Sequence, residues 1–276
     1  MSAPLLACAL GVLGTMGVVG CAAPADRLDA PEPESCAGPA RHPSFRVMTW
    51  NIKWATLVDS DLDAIAAVVR RAEADGVPVD ILALQEVDAF APRSNEEHQA
   101  DALAARLGMR SAFAAARTEG DGGVFGNALL TRFGVVDVDR VDLIAGGAFE
   151  PRAALLATLC IGNRPRTVVS THIDFVRGAG DRMVEDLVDV IVERPRGRIV
   201  MGDFNAYPDE PPGALMDQAG FVDAAAAKDV DTATSGNQRI DYVYVDSAFA
   251  VVHAAVVDAP ESDHDAVVVD VEDIDY

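Results

Sequence analysis

Lysine is nearly absent from this chain. Lys53 and Lys228 are the two in 276 residues, and the rest of the 22 basic residues are arginine. Against them stand 44 Asp and Glu, which leaves a formal net charge of −22 at pH 7. Such a surface repels phosphate backbones on average, so a protein that coats nucleic acid electrostatically is disfavoured. A site holding a metal ion could still take a phosphate, because the ion sets the local field. Cysteine is scarce as well: four residues and no C-x-x-C, so nothing suggests structural zinc. There is no Gly-rich phosphate loop, no G-x-S-x-G elbow and no H-E-x-x-H pair. No apolar run reaches the roughly 20 residues that a transmembrane helix needs.

The longest such run, Leu5 to Val19, is uncharged and suits the h-region of a signal peptide. It ends in Val18-Val19-Gly20-Cys21, which resembles the lipobox of bacterial lipoproteins, where the cysteine is lipidated and becomes the new N-terminus. The stretch before the run, Met1 to Pro4, has no Lys or Arg, and Ala23-Pro24-Ala25 offers an ordinary A-x-A cleavage site instead. Residues 1–21 are therefore expected to be a signal peptide with a lipobox. Residues 22–44, rich in Pro, Ala and acid and without apolar period, read as a disordered tether. With Cys8 and Cys21 assigned to the exported leader, Cys36 and Cys160 remain, and in an exported protein they could pair.

From Phe45 on, residues alternate between strand and helix patterns with no linker to divide them, so 45–276 reads as one α/β domain. Strand-like runs fall at 46–51, 79–84, 124–131, 135–143, 153–161, 166–171, 199–201, 240–245, 249–257 and 266–271. Helices fit 61–75, 95–107, 181–194 and 212–219. The first carries Leu62, Ile65, Val68, Val69 and Ala72 on one stripe, and Gly108 and Pro195 close the second and third.

Several of these runs stop abruptly in residues that bind metals or move protons. MTW runs into Asn51, VDILALQ into Glu86, VVST into His172 and RIVMG into Asp203-Phe204-Asn205. Asp241 opens a strand, and Glu261-Ser262-Asp263-His264 leads into another. A polar residue at one strand end usually just satisfies a loop. A set of carboxylates, amides and imidazoles at several strand ends can converge in one cleft, with hard oxygen ligands for Mg²⁺ or Ca²⁺ and proton carriers beside them. Hydrolysis of a phosphate ester needs those parts. Asp203 and Asn205 would both face one phosphate if that stretch stays extended.

Asn51 in MTWNIKW, Glu86 in LALQEVD, His172 in STHIDF, Asp203 and Asn205 in GDFNAYPDE, Asp241 in RIDYVYV and Asp263-His264 in SDHDAVVVD stand in one order. In these motifs residues 45–272 resemble the endonuclease/exonuclease/phosphatase superfamily. GNALLTR and EPRAAL add to the likeness with its bacterial members. The resemblance implies a four-layer α/β/β/α sandwich with two mixed, mostly antiparallel sheets and an active site at one edge. It implies Glu86 as main metal ligand, with Asn51 and Asp263 nearby, and Mg²⁺ or Mn²⁺ as cofactor, Ca²⁺ being an alternative. It makes Asp203 the residue that orients or deprotonates water, and Asn205 a phosphate ligand. It makes His264 a base or phosphate donor steered by a carboxylate, His172 a hydrogen-bond donor to phosphate or leaving group, and Asp241 an orienter of histidine or a helper of the metal site. Arg152 is a candidate phosphate donor, with a solvent-exposed arginine as the plain alternative. Asn127, after the turn glycine Gly126, is either near the site or a loop cap. Asp174 is expected to face solvent, and His42, His98 and His253 to be surface residues.

The family acts on nucleic acids, lipid headgroups, inositol phosphates and other phosphomonoesters with much the same core. This chain has no long basic, aromatic insertion for gripping DNA. The reading is therefore a monomeric, divalent-metal phosphoesterase outside the cytoplasm, anchored through Cys21 or secreted. A secreted nuclease and an inactive binding lipoprotein of the same fold are the alternatives.

Overall fold

The computed structural model describes residues 25–38, 43–59, 61–120, 122–144, 146–147 and 149–275. The signal peptide and lipobox, and His42, lie outside them.

Two sheets carry the chain, and each holds a single parallel pair among antiparallel neighbours. In the first, β2 (Ser44–Asn51) and β3 (Val79–Ala89) run parallel, joined across helix α1 (Leu62–Ala72). Around them lie β1 (Leu28–Asp29), β4 (Arg110–Thr118), β5 (Val124–Thr131), β12 (Phe249–Val257) and β13 (Ala266–Asp273), in the order β1-β4-β5-β3-β2-β13-β12. In the second, β8 (Arg164–His172) and β9 (Arg198–Asp203) run parallel, joined across α3 (Ala179–Val192). The others are β6 (Gly134–Leu143), β7 (Arg152–Ile161), β10 (Phe221–Asp223) and β11 (Asp241–Asp246), in the order β10-β11-β9-β8-β7-β6. Helices α2 (Gln99–Leu107) and α4 (Pro211–Gln218) complete the outer layers.

Three apolar layers follow from this arrangement. Ile65, Val68 and Val69 of α1 pack with Leu82 and Leu84 on the first sheet, as the stripe in the sequence predicts. Val47, Ile81, Leu155, Val168 and Met201 fill the space between the sheets. Met183, Leu187 and Ile191 of α3 cover Val169 and Val200 on the second sheet. Strands buried on both faces read as unbroken apolar runs, such as ILAL and IVM. The result is the four-layer α/β/β/α sandwich.

Three departures have physical reasons. Strand β4 is absent from the sequence reading because SAFAAA is alanine-rich and alanine has little strand preference; its burial against β5 and β1 decides the matter. The segment expected to be a disordered tether is pinned along part of its length. Leu28 and Asp29 pair with Ala114 and Phe113, the Glu34 amide donates to the Val135 carbonyl at 2.7 Å, and Cys36 is disulfide-bonded to Cys160. His98, expected at the surface, is nearly buried. Its Nδ1 accepts from the Asp101 amide at the start of α2, so Nε2–H is left to donate to Asp29 Oδ2 at 3.1 Å. The compositional signal for disorder is overridden by backbone pairing and one covalent bond.

Candidate active site

The two parallel pairs end side by side, and their last residues form the floor of a cleft. Asn51 closes β2, and Glu86 sits where the pairing of β3 with β5 is interrupted between Leu84 and Val87. The bulge, with φ of 56° at Glu86, breaks the strand's alternation and turns this carboxylate out of the ladder. Asn51 Nδ2 then bridges the sheets, lying 3.2 Å from Glu86 Oε1 and 3.1 Å from Asp203 Oδ2. His172 and Asp203 are Cα partners at the ends of β8 and β9. Just before Asp203, a Cβ on Gly202 would lie 1.9 Å from the Thr171 carbonyl oxygen, so the close approach of β8 to β9 excludes any side chain there.

Asn205 reaches the cleft by a route different from the expected one. Its φ is 48°, and its amide donates to Asp203 Oδ1 at 2.9 Å, so a tight turn rather than an extended stretch sets the two side by side. Asn205 Nδ2 lies 3.0 Å from both His172 Nε2 and the Ile173 carbonyl. His264 comes from the loop before β13, where Trp50 Nε1 donates to its carbonyl at 2.7 Å and Ser262 Oγ donates to the Asn51 carbonyl at 2.7 Å. The His264 ring sets Nδ1 2.9 Å from Asp241 Oδ2 and Nε2 3.8 Å from Asp203 Oδ2.

The cleft therefore holds two histidines driven in opposite directions. Burial lowers the pKa of His172 well below the usual imidazole range, and the adjacent Arg152 cation adds to this, so His172 is neutral. Burial acts the same way on His264, but Asp241 and Asp203 outweigh it and push His264 up to about 9. Asp203 is buried beside Asp241. Loss of solvation first, then the like charge, push it up to about 7, against the pull of His264 and the bonds from Asn205 and Asn51. A carboxylate near neutrality beside an imidazolium is a base–acid pair in working range.

The oxygen donors suit a hard cation. Glu86 is mostly buried, its pKa is raised by that burial, and among the described residues its one hydrogen bond comes from the neutral amide of Asn51. Arg152 and His264 act on this carboxylate only through space, with no bond to it, so Mg²⁺ or Mn²⁺ would be its directly bonded cation. A second group, Asp203, Asp241 and His264, also brings ligand atoms within 4.8 Å of one another. Its histidine is already the cation there and Nδ1 is committed to Asp241, so Glu86 and Asn51 fit the metal better. Asp263, the third expected ligand, is half exposed and pairs with Lys53 Nζ at 2.5 Å.

Other expected positions need correction. Arg152 is not solvent-exposed: it is 5% accessible, its Nη1 lies 3.0 Å from His172 Nδ1, and its Nε is buried with no partner. Asp174 does not face solvent. It is buried and accepts from the amides of Phe149, Glu150 and Val176. Asn127 lies within β5 rather than after a turn, and its Nδ2 donates to the Ala153 carbonyl between the sheets. His253 is exposed as expected. The residue the sequence reading missed is Lys53. Its signal was available: one of two lysines, it stands two positions after Asn51.

A match to the Endonuclease/Exonuclease/phosphatase family spans residues 48–264. No match is found among curated proteins. Solved structures share the fold. An endonuclease/exonuclease/phosphatase from Bacteroides vulgatus superposes with a TM-score of 0.70 at 20% identity, over 84% of this chain and 99% of that one. The human Nocturnin catalytic domain with bound sulfate gives 0.65 at 25% identity, over 83% and 93%. A mannosyl-6-phosphatase from Bacteroides thetaiotaomicron gives 0.64 at 18%, over 82% and 99%. With the family's match covering most of the domain, and the strand-end motifs gathered in one cleft, the chain belongs to the Endonuclease/Exonuclease/phosphatase family.

Proposed function

We propose that this protein is a divalent-metal phosphoesterase that works outside the cytoplasm, exported by the apolar N-terminal run and held at the membrane through Cys21. The observation that carries the reaction is the union of Asp203, pushed up to about 7, with His264, pushed up to about 9, on one side of Asn51 and Glu86. Near pH 8 Asp203 is largely a carboxylate and His264 largely an imidazolium. Asp203 then takes a proton from the attacking water as its oxygen bonds to phosphorus, the P–O bond to the alcohol breaks and the departing oxygen takes a proton from solvent, and His264 Nε2–H faces the negative charge that grows on the phosphate. Asn205 and His172 supply neutral donors beside it. Glu86 and Asn51 would hold the metal, with Asp263 joining once released from Lys53. The bound ion's contribution is to neutralise phosphate charge.

The choice of a small ester over a nucleic acid rests on charge. Beside Asn205 opens a cavity of about 240 Å³ walled by Phe175, Asp174, Asp181, Asp209 and Glu210, with one cation, Arg177, paired to Glu210. Acidic walls on a chain of net charge −22 oppose a polyanion that must continue past the reacting phosphate.

The test is a metal-dependent panel: bis-p-nitrophenyl phosphate, sphingomyelin, phosphatidylinositol phosphates, supercoiled DNA and RNA, each with EDTA and with Mg²⁺ or Mn²⁺ restored. Full activity in chelated protein would refute the metal reading, and preference for DNA would overturn the charge argument. Mass spectrometry of the membrane fraction tests export. A diacylated Cys21 N-terminus supports anchoring, a soluble chain starting near Asp26 supports secretion, and a cytosolic chain starting at Met1 or Ser2 refutes both.

A further inference from the structure

His264 and His172 turn Nδ1 toward neighbours of opposite kind. The partner of His264 is the Asp241 carboxylate, which accepts when ionised. The partner of His172 is the Arg152 guanidinium, which can only donate. At 3.0 Å from a donor that has no acceptor lone pair, His172 Nδ1 must be unprotonated. A neutral imidazole carries its one proton on the other nitrogen, Nε2.

The consequence falls on Asn205. Its amide atom 3.0 Å from the Ile173 carbonyl must be the NH₂ group, since that carbonyl only accepts. The same atom is 3.0 Å from His172 Nε2. Guanidinium, imidazole, amide and carbonyl thus form a row in which every contact cannot be satisfied at once. If Nδ1 carried the proton, Asn205 could donate to Nε2, but Arg152 would then press N–H against N–H inside a buried site. If Nε2 carries it, Arg152 is satisfied, the proton turns to Asp203 Oδ2 at 3.4 Å, and Asn205 keeps one N–H that His172 does not accept. Bonds from a charged donor are roughly twice as strong as neutral ones, so the neutral Asn205 contact is the one given up.

We infer that Arg152 is a positioning residue: it locks His172 in the Nε2–H tautomer and so leaves one N–H of Asn205 free for a phosphate oxygen. The tautomer follows from geometry alone, whereas the use of the freed N–H rests on the phosphoesterase reading. In that reading His172 is a fixed neutral donor, and the proton-transfer roles fall to Asp203 and His264. Arg152 acts through His172 and orients two donors with one contact.

The test is ¹⁵N–¹H correlation spectroscopy of the full chain labelled at histidine. Wild type is expected to show His172 with a pyrrole-type Nε2 and a pyridine-type Nδ1. R152K, whose ammonium also only donates, should keep that pattern. R152M should move both ¹⁵N shifts toward the tautomer average, since Nδ1 loses its donor and Asn205 competes for Nε2. Should R152M fail to fold, R152Q, whose amide can face either way, should give the same averaged signal. An Nδ1–H tautomer in wild type, or unchanged shifts in both R152M and R152Q, would overturn the proposal. Against bis-p-nitrophenyl phosphate, R152M should lower kcat about 10–10²-fold with little change in KM, and R152K should recover part of it. If wild type hydrolyses nothing, the phosphoesterase reading fails while the tautomer result stands.

Discussion

Arg46 and Asn51 stand near opposite ends of β2, as Arg166 and His172 stand near opposite ends of β8, some 17–20 Å apart at the rise of a strand. At the first end, guanidinium groups meet carboxylates in matched pairs. Arg46 binds Asp270 through Nε and Nη2, and Asp75 through Nη1 and Nη2. Arg166 binds Asp273 at 2.9 Å through both Nε and Nη2, with both side chains buried. At the other end, carboxylates are buried beside one another, and Arg152 Nε and Asp241 Oδ1 have no partner at all. The same strands thus finish in two ways. One end has the form that holds a fold together, and the other keeps unmet polar groups that a folded chain tolerates where a ligand completes them.

The comparison can be broken from either end. The largest effect is expected in the cleft. Asp203→Asn and His264→Ala should each lower kcat by roughly 10²–10⁴-fold. The double variant should lose much less than the product, because the pair acts as one unit. Each variant should still unfold in one cooperative thermal transition. Near-normal turnover in His264→Ala, or collapse of every variant, would show the cleft to be a structural cluster.

At the paired end the signs reverse. Arg166→Met removes the guanidinium that bonds the buried Asp273 through Nε and Nη2 and should cost about 3–5 kcal/mol, read from denaturant unfolding, while kcat of the folded fraction stays the same. Arg166→Met with Asp273→Leu should recover most of the loss, since the buried carboxylate goes with its cation, and Asp275, the other partner of Arg166, keeps access to water. A double variant no more stable than the single one would contradict this account.

The disulfide comes next. Cys36→Ser opens a link spanning 124 residues, and removing such bonds typically costs about 2–4 kcal/mol. Because Cys36 helps pin the segment that also holds β1, the loss should show first as proteolysis near residues 25–38. Equal protease resistance with and without reductant would refute that.

The smallest effect is in pH. Asp75 is held down to about 2 by Arg46, so its contribution is complete above pH ~4 and is lost as pH falls through 2. Asp203 and His264 are raised. Asp203 favours folding fully below its unfolded value of 3.8 and loses that as pH rises through about 7; His264 does so from 6.5 through about 9. Chelated protein should therefore lose stability between pH 3.8 and 9, and His264→Ala should flatten the part of that limb above 6.5. An unchanged slope in the variant would show that another group carries it.

The cleft was legible in the sequence to the extent that strand ends were. Asn51, Glu86, His172 and Asp203 close apolar runs, and a run that stops in a polar residue marks a rim. What happens beyond a strand end was not legible. The bulge at Glu86, the turn at Asn205 and the burial of Asp174 depend on local φ and on which loops pack above them. Arg152 was open to two readings because arginine is at home in water, and its burial beside His172 excludes the solvent-exposed one. The pinned N-terminal segment escaped because composition reports average behaviour, and the pairing of Leu28 with Ala114 is one specific contact.

That pinned segment sets the length of a leash. Arg140 Nη2 reaches the Ala25 carbonyl, and the Arg27 carbonyl takes the amide of Ala115. If the chain is anchored at Cys21, about four residues separate the anchor from the Ala25 carbonyl, a reach of at most ~14 Å when fully extended. A free tether running to residue 44 would allow some 80 Å. The domain would then ride close against the lipid surface, with the edge of the first sheet at β1 turned toward it.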